Sequence, residues 1–219
     1  MKRSAMMEQI RDVKKEQKEL YQPKTEPAIV DVPQMTFIAV DGTGDPNEPD
    51  GAYATATQIL YALSYTIRMS EKSGHTIDGF FAYRVPPLEG LWQMADGRPG
   101  VDCGNKSGFV WTSMIRQPEF VDDAVFGWAC KEVERKKGID SSPARLFVYR
   151  EGLCAQCMHV GPYDDEPATI DKLDRYAEQN GYRIDIDDIR RHHEIYLGDP
   201  RKTAPEKLKT VLRHPVARV

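Results

Sequence analysis

Apolar residues recur with two different periods along this chain, and the switches between them mark out its elements. Ile59, Leu60, Leu63 and Ile67 share one face at helical spacing and predict a helix from about Tyr53 to Lys72, stopped at Gly74. Val125, Trp128, Ala129 and Val133 predict a second, opened by Asp122-Asp123 and closed by Lys136-Lys137-Gly138. Ile170, Leu173 and Ala177 predict a third, from about Glu166 to Gln179, with Asn180-Gly181 as its stop. Between them lie short β-prone runs: Met35–Val40, Phe80–Val85, Glu89–Gln93, Phe109–Ile115, Arg145–Arg150, Leu153–Val160 and, as the last long strand, Arg190–Leu197. Glu151-Gly152 reads as a tight turn between two of them. After Asp199-Pro200, Thr203-x-x-Glu206 reads as a capping box opening a short terminal helix at Pro205. At the start, Ile10, Val13, Gln17 and Leu20 give a weak apolar face that Pro23 and Pro27 end, which predicts a helix packed on the domain edge. Residues 1–34 thus read as a helix and linker, and 35–219 as the domain.

Two stretches look like the same unit. Phe37-Ile-Ala-Val-Asp-Gly42, followed by a polar loop and a helix, parallels Gln156-Cys-Met-His-Val-Gly161, followed by Pro162-Tyr-Asp-Asp165 and a helix. The expected fold is α+β: tandem β-α-β-β modules related by a pseudo-twofold, with an inserted strand–helix–strand. They would form one curved antiparallel sheet with both module helices on the same outer face. A ligand groove would lie between the modules, where such sites form preferentially.

Composition narrows the function. A chain of 219 residues buries roughly 70–75% of its unfolded surface and needs no disulfide or metal to fold. A net charge of −4 argues against a dedicated nucleic-acid binder. Mean hydropathy is −0.57, and no apolar run approaches the roughly 20 residues of a membrane span. The first residues carry no apolar signal-peptide core. A soluble cytoplasmic protein with reduced cysteines is expected.

Several motifs carry less chemistry than they advertise. Cys154-Ala-Gln-Cys157 lies in a strand, where positions i and i+3 face opposite sides, and neither Cys103 nor Cys130 supplies a second pair. Both thiols therefore read as small core residues. His192-His193-Glu194 invites a metal reading, with His159 or His214 to complete it, but no spacing fixes such a set and no metal is expected. Asp41-Gly-Thr-Gly-Asp-Pro46 lacks the trailing glycine and lysine of a phosphate loop, and there is no GxSxG nucleophile elbow.

The aromatic residues are more informative. Trp92, Trp111 and Trp128 lie in the middle segments, with Tyr53, Tyr65, Tyr83, Tyr149, Tyr163 and Tyr196 around them; core packing explains most of them. Strand alternation puts Glu194 and Tyr196 on one face and Ile195 and Leu197 on the other. A carboxylate among rings attracts cationic aromatic ligands, and desolvation makes it a better general base. An exposed Glu on a sheet face is the alternative.

Three stretches together resemble the GyrI-like small-molecule-binding family: Tyr21–Pro27 with Val32–Asn47, His159-Val-Gly-Pro-Tyr-Asp164, and above all His193-Glu-Ile-Tyr-Leu-Gly-Asp-Pro200 continuing to Val216. The resemblance covers nearly the whole chain. It implies tandem β-α-β-β modules and a groove floored by a glutamate, which matches Glu194. The leader, the Trp-rich middle and the insertion resemble a stand-alone subfamily that hydrolyses cyclopropane-bearing DNA alkylators inside an aromatic cage. That likeness implies a cofactor-free hydrolase of xenobiotics with Glu194 and Tyr196 as catalytic residues. Trp92, Trp111, Trp128, Tyr149 and Tyr65 would line the ligand site, and Tyr196 or Tyr149 would donate a hydrogen bond to the dienone carbonyl. Two other classes remain open: a non-catalytic multidrug-binding or sequestering protein, and an interaction module protecting a target such as gyrase. Partners are small hydrophobic or aromatic molecules, not nucleic acid or membrane. Glu194 is expected in a largely apolar groove with at least one of the three tryptophans beside it.

Overall fold

The β-prone runs pair into one antiparallel sheet whose two ends meet. The computed structural model describes residues 10–98, 100–102 and 104–219; Cys103 lies outside them. The elements are β1 (Ala28–Thr43), β2 (Leu88–Met94), β3 (Phe109–Arg116), β4 (Ala144–Val160), β5 (Tyr182–Ile184), β6 (His192–Tyr196) and β7 (Lys209–Arg218), with helices α1 (Val13–Glu16), α2 (Lys18–Tyr21), α3 (Ala52–Arg68), α4 (Asp123–Lys137) and α5 (Glu166–Gln179). The strand order is β4-β1-β3-β2-β6-β7, with β5 on the far end of β7. Cys154–Val160 of β4 pairs back onto Lys209–Pro215 of β7, so six strands close into a barrel-like sheet. Such a ring is wide enough only for side chains, so the helices pack outside.

Alternation then sorts each strand. Ile38, Val40, Trp92, Trp111 and Ile115 face outward under α3 and α4, joined by Ile59, Leu60, Leu63, Ala129 and Val133. Ala155, Cys157, Leu212 and Val216 face outward under Leu173 and Ala177 of α5. Phe37, Ala39, Leu91, Met114, Ile195 and Val211 fill the inside. The helices α3 and α5 thus both lie on the outer face, and the three long helices start and stop close to the expected residues. Asp122 accepts from Val125 N at 2.9 Å to open α4, and Gly138, at φ 63°, closes it in the left-handed conformation that favours glycine.

The strands depart from expectation in five places. The first begins at Ala28, not Met35. Phe80–Val85 is no strand: Tyr83 makes one isolated bridge to Arg11 while Phe80, Phe81, Tyr83 and Phe120 pack ring to ring. Nor does Glu151-Gly152 turn the chain. β4 runs on as one 17-residue strand, and Gly152, at φ 73°, changes the phase of alternation instead. Tyr149 and Cys154 consequently both face inward, and Cys157 outward. Phe109–Ile115 and Arg145–Arg150 form no separate strand–helix–strand unit, since β3 pairs with β1 and β2 while Arg145–Arg150 belongs to the long β4. Finally, no helix starts from a Thr203 cap. Pro205–Lys207 is a single 3-10 turn with no side-chain cap, and the last long strand is β7, not β6.

The leader is two single-turn helices, not one helix on an edge. Leu20 and Tyr21 are buried in the inner core, and polar groups hold them there. Tyr21 Oη donates to Glu89 at 3.2 Å, Arg213 Nη2 to the Leu20 carbonyl at 3.0 Å and Gln156 Nε2 to the Glu19 carbonyl. Behind them His193 bridges Glu89 and Glu151 at 3.0 Å each, and Arg213 reaches Glu151 at 2.8 Å. Two carboxylates and two cations thus balance inside the sheet.

Cys154 and Cys157 are free and buried on opposite faces. Burial pushes Cys157 up to about 11 and Cys154 still higher. Both should resist a thiol reagent in the native protein and react only on unfolding; stoichiometric zinc or a Cys154–Cys157 disulfide would contradict this.

Candidate ligand and catalytic site

Three outward residues of β6 and the starts of two helices converge on the outer face. His192, Glu194 and Tyr196 point the same way because they alternate along one strand. His193 points inward, as the alternation requires. Glu194 sits opposite Gly90 on one neighbour and Leu212 on the other. Its side chain is 12% exposed. Tyr196 Oη donates to Glu194 Oε2 at 2.7 Å, and Trp92 Nε1 donates to Tyr196 Oη at 3.0 Å. On the other oxygen, His192 Nε2 lies 3.1 Å from Glu194 Oε1. His192 Nδ1 lies 2.7 Å from His214 Nε2, and His214 Nδ1 lies 2.5 Å from Asp174 Oδ1.

Rings close around this centre. Tyr53, from the first turn of α3, packs 5.4 Å from Trp92 and edge-on to Trp111 at 5.1 Å. Tyr163, just ahead of α5, meets Tyr196 edge-on at 5.7 Å. Glycines make room for two of these groups. A Cβ on Gly90 would sit 2.5 Å from Trp92 Nε1, and one on Gly42 would sit 2.2 Å from the Trp111 ring. Gly90→Ala should therefore push the indole off Tyr196 and cost about 1–3 kcal/mol in urea unfolding. Unchanged stability would mean that the sheet admits the methyl.

Glu166, the first residue of α5, is 2% exposed, and its Oε1 has no hydrogen-bond partner. Burial, then the neighbouring Glu194, holds its carboxyl well above the usual range. The same two causes raise Tyr196 well above its usual value and Tyr163 to about 12; burial also raises Tyr53. The three tyrosines are thus neutral donors near pH 7. His192 is pushed down by burial, against the pull of Glu194. Ligand atoms of Glu166, His192 and Glu194 lie within 4.8 Å of one another, an arrangement able to approach a metal ion.

Of the residues expected here from sequence, Glu194, Tyr196, Trp92 and Trp111 come together. The immediate neighbours of Glu194 are polar groups, not an apolar wall, and Trp92 reaches it through Tyr196. Three others are placed elsewhere. Tyr149 lies inside the sheet, stacked on Phe147 at 5.2 Å. Trp128, on α4, stacks on His75 at 3.9 Å. Tyr65 is half exposed against Tyr61, 12 residues and about 18 Å along α3 from Tyr53. Sequence reading did not single out Glu166 or Asp174 for this site, and it named His214 only as one of two histidines able to complete a metal set with His192 and Glu194. The repeat carried the one available signal for Glu166, because it aligns the start of α5 with the start of α3, where Tyr53 lies.

The model of the GyrI-like small-molecule-binding domain matches residues 25–217. The chain belongs to this family. A structure from Listeria innocua, described as a hydrolase, is 43% identical over 94% of this chain and 100% of that one, with a TM-score of 0.86. An uncharacterized conserved protein from the same organism is 44% identical over 94% and 100%, with a TM-score of 0.88. The C-terminal domain of EcmrR is 13% identical over 88% and 98%, with a TM-score of 0.53, a likeness of fold alone. A search of curated proteins gave no match. Among the described residues no helix is long and apolar enough to cross a membrane.

Proposed function

We propose that this GyrI-like chain binds flat hydrophobic or cationic aromatic molecules against Glu194 and hydrolyses cyclopropane-bearing alkylators there. The observation that carries it is a nearly buried carboxylate gripped by Tyr196 and His192, with Tyr53, Trp92 and Tyr163 around it. The strand order supports the underlying geometry. Leaving aside the short β5, which follows α5, each half runs strand, helix, strand, strand, and the order β1-β3-β2-β6-β7-β4 is a palindrome of the two halves. In this reading the halves are tandem modules, and the groove is the seam between β2 and β6, under the starts of α3 and α5. The hydrolase description of the Listeria protein agrees.

In this reading a ring ligand lies against Tyr53, Trp92 and Tyr163. Water attacks the cyclopropane carbon as the strained C–C bond breaks and its electrons pass into the dienone, giving a phenolate. Glu194 takes the proton of water. Tyr196 spends its own proton on Glu194, so it orients the base and does not reach for the carbonyl. Tyr149 faces the wrong side for that role. Tyr53, held neutral by burial, replaces both as the donor toward the developing charge. Water is the only co-reactant.

Binding without chemistry is favoured by one feature: the same ring-flanked carboxylate is a counter-charge for lipophilic cations. Incubation with a panel of flat aromatic cyclopropane alkylators, followed by mass spectrometry, separates the two. Ring-opened hydrate is expected from a hydrolase, and unchanged ligand would leave a binder.

A further inference from the structure

Two carboxylates meet on the outer face without a lysine or arginine to balance them. Glu194 is 12% exposed on its side chain, and Glu166 is 2% exposed. Among the described residues, the one basic group within ion-pair distance of either is His192, 3.1 Å from Glu194. The inner face is different: Glu89 and Glu151 have His193 and Arg213 to balance them. A buried carboxylate without such partners is costly. Glu166 Oε1 lacks even a hydrogen-bond partner.

The spacing suits a metal ion. Ligand atoms roughly 2.0–2.1 Å from zinc stand about 2.9–3.4 Å apart in octahedral or tetrahedral geometry. The 3.1 Å between His192 Nε2 and Glu194 Oε1 falls in that range. A ligand atom of Glu166 lies within 4.8 Å of both residues' ligand atoms. It has to close by about 1–2 Å, within reach of one side-chain torsion.

The imidazole is also held as a metal-bound histidine needs. His192 Nδ1 lies 2.7 Å from His214 Nε2, and His214 Nδ1 lies 2.5 Å from Asp174. With the ring protons placed along this chain, His214 donates to Asp174 and His192 donates to His214. The His192 Nε2 lone pair then faces Glu194 Oε1, and a cation can share the two acceptors. This is not the set that the His192-His193-Glu194 run invites. His193 points inward, His214 stands behind His192, and Glu166 joins from α5.

We propose that Glu166, His192 and Glu194 form a site for a divalent transition-metal ion, with His214 and Asp174 orienting the histidine. One imidazole and two carboxylates suit zinc or cobalt, whereas magnesium and calcium prefer oxygen ligands alone. Zinc is the expected ion and cobalt its spectroscopic stand-in. The ion takes the Glu194 Oε1 lone pair, so its occupancy and proton abstraction by that oxygen exclude one another. A bound ion would thus switch off the proposed base. The site goes beyond the hydrolase reading and does not rest on it.

Protein dialysed against a chelator and titrated with zinc in a calorimeter should take up one ion per chain. Cobalt should give visible absorption with the same stoichiometry. Asp174→Asn, at a side chain 33% exposed, keeps an acceptor for His214 and should weaken zinc binding by roughly 10–100-fold, the usual effect of altering a group behind a ligand. Glu166→Gln removes a ligand and should weaken it further. Urea unfolding without metal checks that both variants fold; if Glu166→Gln does not, Asp174→Asn decides alone. No uptake by the unaltered protein overturns the proposal, as does uptake that the folded variants retain in full. The dialysed protein is also assayed for ring opening, which keeps the two readings apart. Zinc uptake with no ring opening defeats the hydrolase reading alone, and ring opening with no zinc uptake defeats the metal site alone.

Discussion

Glu194→Gln should lower turnover of a cyclopropane-bearing alkylator by roughly 10²–10⁴-fold while leaving the affinity of a neutral ligand nearly unchanged. Glutamine keeps the size and still accepts from Tyr196 Oη, which holds the carboxylate at 2.7 Å, so the ring wall of Tyr53, Trp92 and Tyr163 should persist. Under the hydrolase reading, what is lost is the group that takes the proton of water. A non-catalytic binder would respond differently, because only the counter-charge is lost. Lipophilic cations would then bind more weakly and neutral ligands would be spared. Single-turnover kinetics and titration calorimetry on the same preparation separate the two. A Glu194→Gln protein normal in both turnover and cation binding would remove Glu194 from the site.

Arg213→Met should destabilise the fold by about 3–5 kcal/mol, the usual cost of removing one partner from a buried ion pair. Arg213 is 2% exposed and serves three acceptors: Glu151, Gln156 and the Leu20 carbonyl. Without it, Glu151 keeps only His193, and the leader loses a clamp. Urea unfolding is the measurement. A loss below about 1 kcal/mol would show that the network contributes little.

The same network shapes stability against pH. Glu151 and Glu89, working against burial, hold His193 up to about 9, above its ordinary 6.5. Its contribution is complete below about pH 6.5 and is lost as pH rises through 9. His193 and Arg213, again against burial, hold Glu151 down to about 2 from 4.5. That contribution is complete above about pH 4.5 and is lost as pH falls through 2. Stability from these two groups should therefore be greatest between about pH 4.5 and 6.5.

Much of the outer architecture was legible in the sequence because it follows from local periodicity. Ile59, Leu60, Leu63 and Ile67 can share a face only in a helix, and the bounds of α5 follow from Ile170, Leu173, Ala177 and the Asn180-Gly181 stop. The misreadings occurred where a residue serves a distant partner. Lys209–Arg218 carries Arg213 and Pro215 in its middle and does not look like a strand, yet Arg213 is paired with Glu151, 62 residues away. Glu151-Gly152 has the composition of a turn, but pairing with β1 on one side and β7 on the other keeps the chain extended.

The site divides in the same way. Alternation along β6 places His192, Glu194 and Tyr196 on one face and His193 on the other, whatever the fold, because a strand repeats every two residues. Which residues meet them is a matter of register and helix docking. Gly90 opposite Glu194 admits the Trp92 indole, and the start of α5 brings Glu166 and Tyr163. The close of the sheet through β7 brings His214, 22 residues further along the chain, onto His192. Trp92 and Tyr149 show the limit of composition. Both are nearly buried aromatic residues on strands, but one faces α3 and Glu194 and the other the inside of the sheet. Sequence by itself determined the three long helices and the faces of β6, with Glu194 on the outer one. Only the tertiary structure decided the neighbours of that carboxylate, because periodicity fixes the direction of a side chain and long-range pairing fixes what it meets.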